Sequence, residues 1–150
     1  TLPELDTKFR EQAARKYLAL DTHKLNQQEQ TEIIDETLSV LNHKDFHTLF
    51  GLSSKAEVAL VGNVNGKVIS AQVDRLVVVS VRVIVVDYKN NRTPPKVASD
   101  IPELYLRQMS AYKLALQKIY PNQYIECLLL WTQGPSLMHL QNKHLAAYSP

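Results

Sequence analysis

Residues 67–86 read Lys-Val-Ile-Ser-Ala-Gln-Val-Asp-Arg-Leu-Val-Val-Val-Ser-Val-Arg-Val-Ile-Val-Val, and this stretch decides the fold. It is dense in β-branched residues, which suit a pleated surface better than a helix. It is also too long for one strand of ordinary length. The stretch therefore holds a strand over 67–76, a turn at Ser80-Val81 and a second strand running to Val86. Upstream, Glu57-Val-Ala-Leu-Val61 reads as a further strand, joined through the turn chemistry of Asn63-Val-Asn-Gly66. Downstream, Arg92-Thr-Pro-Pro95 closes the run, because proline donates no ladder hydrogen bond.

Outward from this three-strand meander the periodicity changes. A helix is expected from about Pro102 to Tyr120, with proline in its first turn and Pro121 just past its end. Tyr124–Trp131 reads as a buried strand, and Gly134-Pro135 turns the chain into a short last strand near Leu137–Leu140. The first third is helical. Glu11–Leu20 carries apolar residues near helical spacing. Asn26 with Glu29 predicts a capping box ahead of the stripe Ile33, Ile34, Leu38 and Leu41. A short helix near Lys44–Phe50 is stopped by Gly51. Helices, a meander, a long helix and two more strands make an α/β protein with a mixed sheet. The expectation is a single domain over 1–150, with a helical part at 1–53 and sheet plus long helix at 54–150.

Composition sets the outer limits. The chain has 150 residues, 45% hydrophobic and 21% charged, which excludes intrinsic disorder. One cysteine excludes an internal disulfide and a Cys-rich zinc or iron–sulfur site. The longest apolar run, Leu76–Val86, is broken by Ser80 and Arg82 and is too short to span a membrane. With no basic-then-apolar segment at its start, the chain is expected to be cytoplasmic, with no membrane partner. Residues 1–50 carry 6 Lys/Arg against 9 Asp/Glu, and residues 51–150 carry 11 against 6. That asymmetry permits a polyanion on the basic part.

The chemistry concentrates on Asp74, Asp87 and Lys89. Asp87 and Lys89 are two apart in a strand and share a face. A turn at Ser80-Val81 pairs residues whose numbers sum to 161, which sets Asp74 opposite Asp87 with Cβ atoms about 5 Å apart. Two carboxylates that close repel unless a cation lies between them, and hard oxygens fit Mg²⁺ or Mn²⁺. Acid-x-Lys occurs twice, at Asp6-Thr-Lys8 and Asp87-Tyr-Lys89, and only the second ends a β-branched strand. On the long helix, Gln108 and Tyr112 lie four apart on one face, with Tyr105 one turn earlier.

Val73-Asp-Arg-Leu76, Val86-Asp-Tyr-Lys-Asn-Asn-Arg92 and Tyr105-Leu-Arg-Gln-Met-Ser-Ala-Tyr112 resemble the successive motifs of RecB-type nucleases of the PD-(D/E)xK superfamily. The chain is more similar still to the C-terminal nuclease domain of AddA-type helicase–nucleases of bacterial double-strand-break repair. Here Cys127–Met138 resembles the alphaproteobacterial type. The resemblance implies a restriction-endonuclease-like fold and Mg²⁺- or Mn²⁺-dependent DNA exonuclease chemistry. It also implies that the chain is a fragment of a larger helicase–nuclease with an AddB-like partner subunit. It implies that Asp74, Asp87 and the main-chain carbonyl of Tyr88 hold the metal and that Lys89 activates water and stabilises charge on phosphate. Gln108 and Tyr112 would hold the site and touch DNA, and Arg92 would contact phosphate. Glu57, at the start of the first strand, would be a metal-binding or supporting acidic group of the site, or a strand-end surface residue.

The match departs from the family in three ways, one of them Asn90, which stands where Thr is common. The family's first motif, a helical His, would lie upstream of Thr1, and His23, His43 and His47 stand outside that context. Ala71 replaces a Gly common three residues before the first Asp. The helicase phosphate loop is absent from these 150 residues. An alternative function is a non-catalytic DNA-binding or subunit-docking module on a nuclease-like fold. Cys127 and Trp131 are expected in the core.

Overall fold

The computed structural model describes residues 1–64, 66–90 and 93–148, and only the backbone of Val64 and Lys67. The chain forms two compact units, Thr1–Leu52 and Ser53–Pro150.

The first unit is helical. α1 spans Thr7–Leu18 and α2 spans Gln27–Leu41. α1 starts four residues before the apolar stripe because the Asp6 side chain caps it, accepting from the Lys8 N–H. The capping box of α2 forms as read. Asn26 Oδ1 accepts from the Glu29 N–H at 2.9 Å, and the Glu29 carboxylate accepts from the Asn26 N–H at 2.8 Å. Arg10 ties the unit together. Its guanidinium donates to the carbonyls of Pro3, Leu5 and Leu41 and to Asn42 Oδ1. The short helix near Lys44–Phe50 is one 3₁₀ turn, His47–Phe50, ending at Gly51.

The second unit is a five-stranded sheet in the order β1-β2-β3-β4-β5. β1 spans Ser54–Val64, β2 Lys67–Val78, β3 Arg82–Lys89, β4 Tyr124–Trp131 and β5 Ser136–Leu140. Neighbours are antiparallel except β3 and β4, which are parallel and joined through α3, Glu103–Ile119. A parallel pair needs such a crossover, and it makes the sheet mixed. Pro102 is the N-cap of α3 rather than its first-turn residue. A short α4, Asn142–Leu145, follows β5.

One face of the sheet packs on α3. Val83, Val85, Cys127, Leu129 and Trp131 meet Met109, Tyr112 and Leu116 there in a continuous core. Cys127 and Trp131 are each 1% exposed, as expected of core residues. Burial pushes the Cys127 thiol up to about 12, so it stays protonated and unreactive. The β1–β2 hairpin has an irregularity that bears on the site. Its core-facing residues on β2 are Ile69, Ala71 and Val73 on the outer arm but Leu76 and Val78 on the inner arm. Strict alternation cannot place Val73 and Leu76 on one face. The inversion falls at Glu57 and Asp74, the one position where the β1–β2 pairing lapses, between Ala56↔Arg75 and Val58↔Val73. Glu57 takes a left-handed φ of 51° there. The register continues unshifted beyond the lapse. No helix of the described residues is long and apolar enough to cross a membrane.

Candidate active site

The β2–β3 ladder runs Val78↔Val83, Val77↔Ile84, Leu76↔Val85 and Arg75↔Val86. The turn and register are therefore those read from the sequence. The ladder ends one residue short of Asp74 and Asp87. Past that point Asp74 bonds sideways: its Oδ2 accepts the main-chain N–H of Tyr88 at 2.6 Å. A charge-assisted bond this short spends one carboxylate oxygen on the backbone and leaves Oδ1 for a ligand.

Asp87 is 4% exposed. Its ion-pair partner is the Lys89 ammonium, which touches Oδ2, a buried atom with no directed hydrogen bond. Burial raises the Asp87 carboxyl above its ordinary range. Lys89 pulls it down and the nearby Asp74 charge pushes it further up. Two acidic side chains thus converge near one amine on the face covered by α3.

α3 completes the arrangement. Lys89 Nζ donates to Gln108 Oε1 at 3.2 Å, and Gln108 Nε2 donates to the Tyr112 hydroxyl at 2.8 Å. The amide is held at both ends, so its orientation is fixed by its partners. Lys89 Nζ also lies 3.9 Å from the centroid of the Tyr105 ring, a cation–π contact. Burial raises the Tyr112 phenol, Gln108 draws it down, and the charges of Asp87 and Asp74 push it up. Tyr112 therefore stays a neutral hydroxyl near neutral pH. The i, i+4 pair read from the helix is an anchored partner of Lys89.

The structure brings Asp74, Asp87, Lys89, Gln108 and Tyr112 together. It does not add Glu57 to them. Glu57 is exposed, and among the described residues no three His, Cys, Asp or Glu side chains group closely enough to hold a metal. Arg92 lies outside the described residues. Sequence reasoning assigned nothing to Arg75, which is 8% exposed on the reverse face of the sheet. Its Nε donates to the Tyr88 hydroxyl at 2.7 Å and its Nη1 to Ser54 Oγ at 2.8 Å. The signal was present: alternation sends Arg75 and Tyr88 to the face opposite Asp74 and Asp87.

The donor set suits a divalent cation. A hard ion takes carboxylate and carbonyl oxygens, and Asp74 and Asp87 bring two carboxylates to one end of the β2–β3 ladder.

A family model of the PD-(D/E)XK nuclease superfamily matches residues 3–144. The chain belongs to that superfamily, and its mixed sheet with flanking helices is the superfamily's restriction-endonuclease-like fold. Among solved structures it is similar to a protein of Eubacterium rectale described provisionally as an exonuclease. That match has a TM-score of 0.60 and 15% identity, and it covers 97% of this chain and 63% of the neighbour. The chain thus spans under two thirds of that neighbour's length, and at this identity the likeness is one of fold. A second structure, that of SSO0001, aligns with a TM-score of 0.42 and 15% identity over 98% of this chain and 69% of its own. No curated protein matches the sequence.

Proposed function

We propose that this chain is a metal-dependent DNA exonuclease domain, with Mg²⁺ or Mn²⁺ held by Asp74, Asp87 and the main-chain carbonyl of Tyr88. The observation that carries the reading is the convergence of Asp74, Asp87 and Lys89 at the end of the β2–β3 ladder. When bound, the cation would lower the pKa of its water and neutralise charge on the scissile phosphate. Lys89 places a positive charge where the phosphate becomes more negative. Gln108 and Tyr105 hold that ammonium in place, so little reorganisation is needed during the reaction. Tyr112 stays protonated and fixes Gln108. The parent is proposed to be an AddA-like helicase–nuclease of double-strand-break repair, acting with an AddB-like subunit; the motif sequence 73–112 and the segment 127–138 support this.

The test is cleavage of single-stranded DNA by the full chain, with and without Mn²⁺ or Mg²⁺. Cleavage should require metal. It should fall below detection in Asp87→Ala and drop roughly 10²–10³-fold in Lys89→Ala, the usual cost of removing one preorganised charge-stabilising group. Asp87→Ala cutting as fast as the parent would rule this site out, and a parent chain that binds DNA without metal-dependent cutting would favour a non-catalytic DNA-binding or subunit-docking module.

A further inference from the structure

The β2–β3 ladder stops at Arg75↔Val86, yet the three residues that matter most, Asp87, Tyr88 and Lys89, lie just beyond it. On the β2 side their backbone lacks the usual pairing. Two side chains from consecutive β2 residues stand in for it, and both grip Tyr88. From the α3 face, Asp74 Oδ2 accepts the Tyr88 N–H at 2.6 Å. From the reverse face, the Arg75 guanidinium donates to the Tyr88 hydroxyl at 2.7 Å while its other arm holds Ser54 of β1 at 2.8 Å.

We infer that Arg75 and the Tyr88 hydroxyl form a rear clamp that positions the metal-binding segment from the back of the sheet. This rests on the metal-dependent reading above. The argument is geometric. Tyr88 sits between Asp87 and Lys89, and its own carbonyl is the expected third oxygen. β4 holds the far edge of this segment through the parallel pairs Asp87↔Leu129, Tyr88↔Leu130 and Lys89↔Trp131, whereas on the β2 edge the Asp74 bond to the Tyr88 amide takes the place of strand pairing. A second anchor on the phenol, reaching across to β1, stiffens that unpaired edge and sets the carbonyl and the flanking side chains together. A guanidinium suits the role, since its fork reaches two oxygens on different strands at fixed angles. Divalent ions such as Mg²⁺ tolerate little error in ligand position, so loosening the segment weakens binding even when every ligand remains. Neither clamp group touches the metal or the substrate, so both are positioning residues.

The experiment is calorimetric titration of the full chain with Mn²⁺, alongside thermal unfolding without metal. Tyr88→Phe removes one oxygen and keeps the ring and the backbone N–H. It should raise the Mn²⁺ dissociation constant about tenfold, the lower end of the usual cost of losing an outer partner of a metal ligand. Arg75→Gln should do the same, Arg75→Lys should lie between Arg75→Gln and the parent, and Tyr88→Phe/Arg75→Gln should lose no more than one single change. If Arg75→Gln does not fold, Tyr88→Phe alone decides. Tyr88→Phe binding Mn²⁺ as tightly as the parent overturns the clamp and leaves the metal reading standing. A parent chain that binds no Mn²⁺ at all overturns both, and the two failures are thereby told apart.

Discussion

Asp87 is a carboxylate that folding makes harder to ionise, because burial outweighs the pull of Lys89. A carboxyl raised in the folded state gives its full stabilisation below its ordinary value of 3.8. That contribution is lost as pH climbs through the folded value. The metal-free chain should therefore lose stability, relative to Asp87→Asn, as pH rises from about 4 toward neutral. Thermal unfolding across that range measures it, and a pH-independent difference between the two proteins would contradict it. Mn²⁺ affinity should move the opposite way, weakening as pH falls and protons compete for the same oxygen. At this scale the acidic pair was legible, because strand alternation and a turn at Ser80-Val81 set its register by arithmetic. The Lys89–Gln108 bond was not, since no local pattern says how a helix more than a dozen residues downstream lies over a strand. Arg75 was passed over because a charged strand residue beside an acid reads as surface until its burial is known.

Among the elements, strand and helix identities followed the sequence closely, and boundaries moved where a cap decided them. Asp6 starts α1 ahead of its apolar stripe, and a short polar cap carries no periodic signal. The capping box of α2 had such a signal in Asn26 and Glu29, and it formed. Asn26→Ala should cost about 1 kcal/mol in chemical denaturation. The inversion at Glu57 and Asp74 could not be read, because each arm alternates correctly by itself and only the shared α3 core shows them out of phase. Glu57 adopts a backbone conformation natural to glycine. Glu57→Gly should therefore stabilise the protein by about 1 kcal/mol, from the relief of a left-handed non-glycine residue. A destabilisation in the same denaturation series would show that the Glu57 side chain contributes more than its strain costs.

For the molecule as a whole, the uneven charge becomes a measurable property. The 11 Lys/Arg of residues 51–150 face 6 Asp/Glu, and this part carries the sheet and α3. Single-stranded DNA binding should weaken as salt rises, with a log–log slope of about −0.7 for each phosphate neutralised. Fluorescence anisotropy over a salt series measures it, and affinity indifferent to salt would place the DNA elsewhere than on a basic surface. The mixed sheet was legible because a β-branched meander followed by a helix and two strands leaves few connections to choose among.

The turnover of the β1–β2 hairpin at Asp74 also divides that ribbon into an inner arm beside the acidic pair and an outer arm that packs on α3, where Lys118 Nζ donates to the Asn63 carbonyl. The outer arm closes at Gly66, where φ is 80° and no atom lies within 4 Å of where a side chain would begin. Because the pairing stays in step across the lapse, residues can be added to both arms near Gly66 in matched numbers without shifting the acidic pair. The exposed turn at Gly66 is accordingly the place to graft a fluorophore-binding tag or an affinity handle onto this chain while leaving the acidic pair undisturbed.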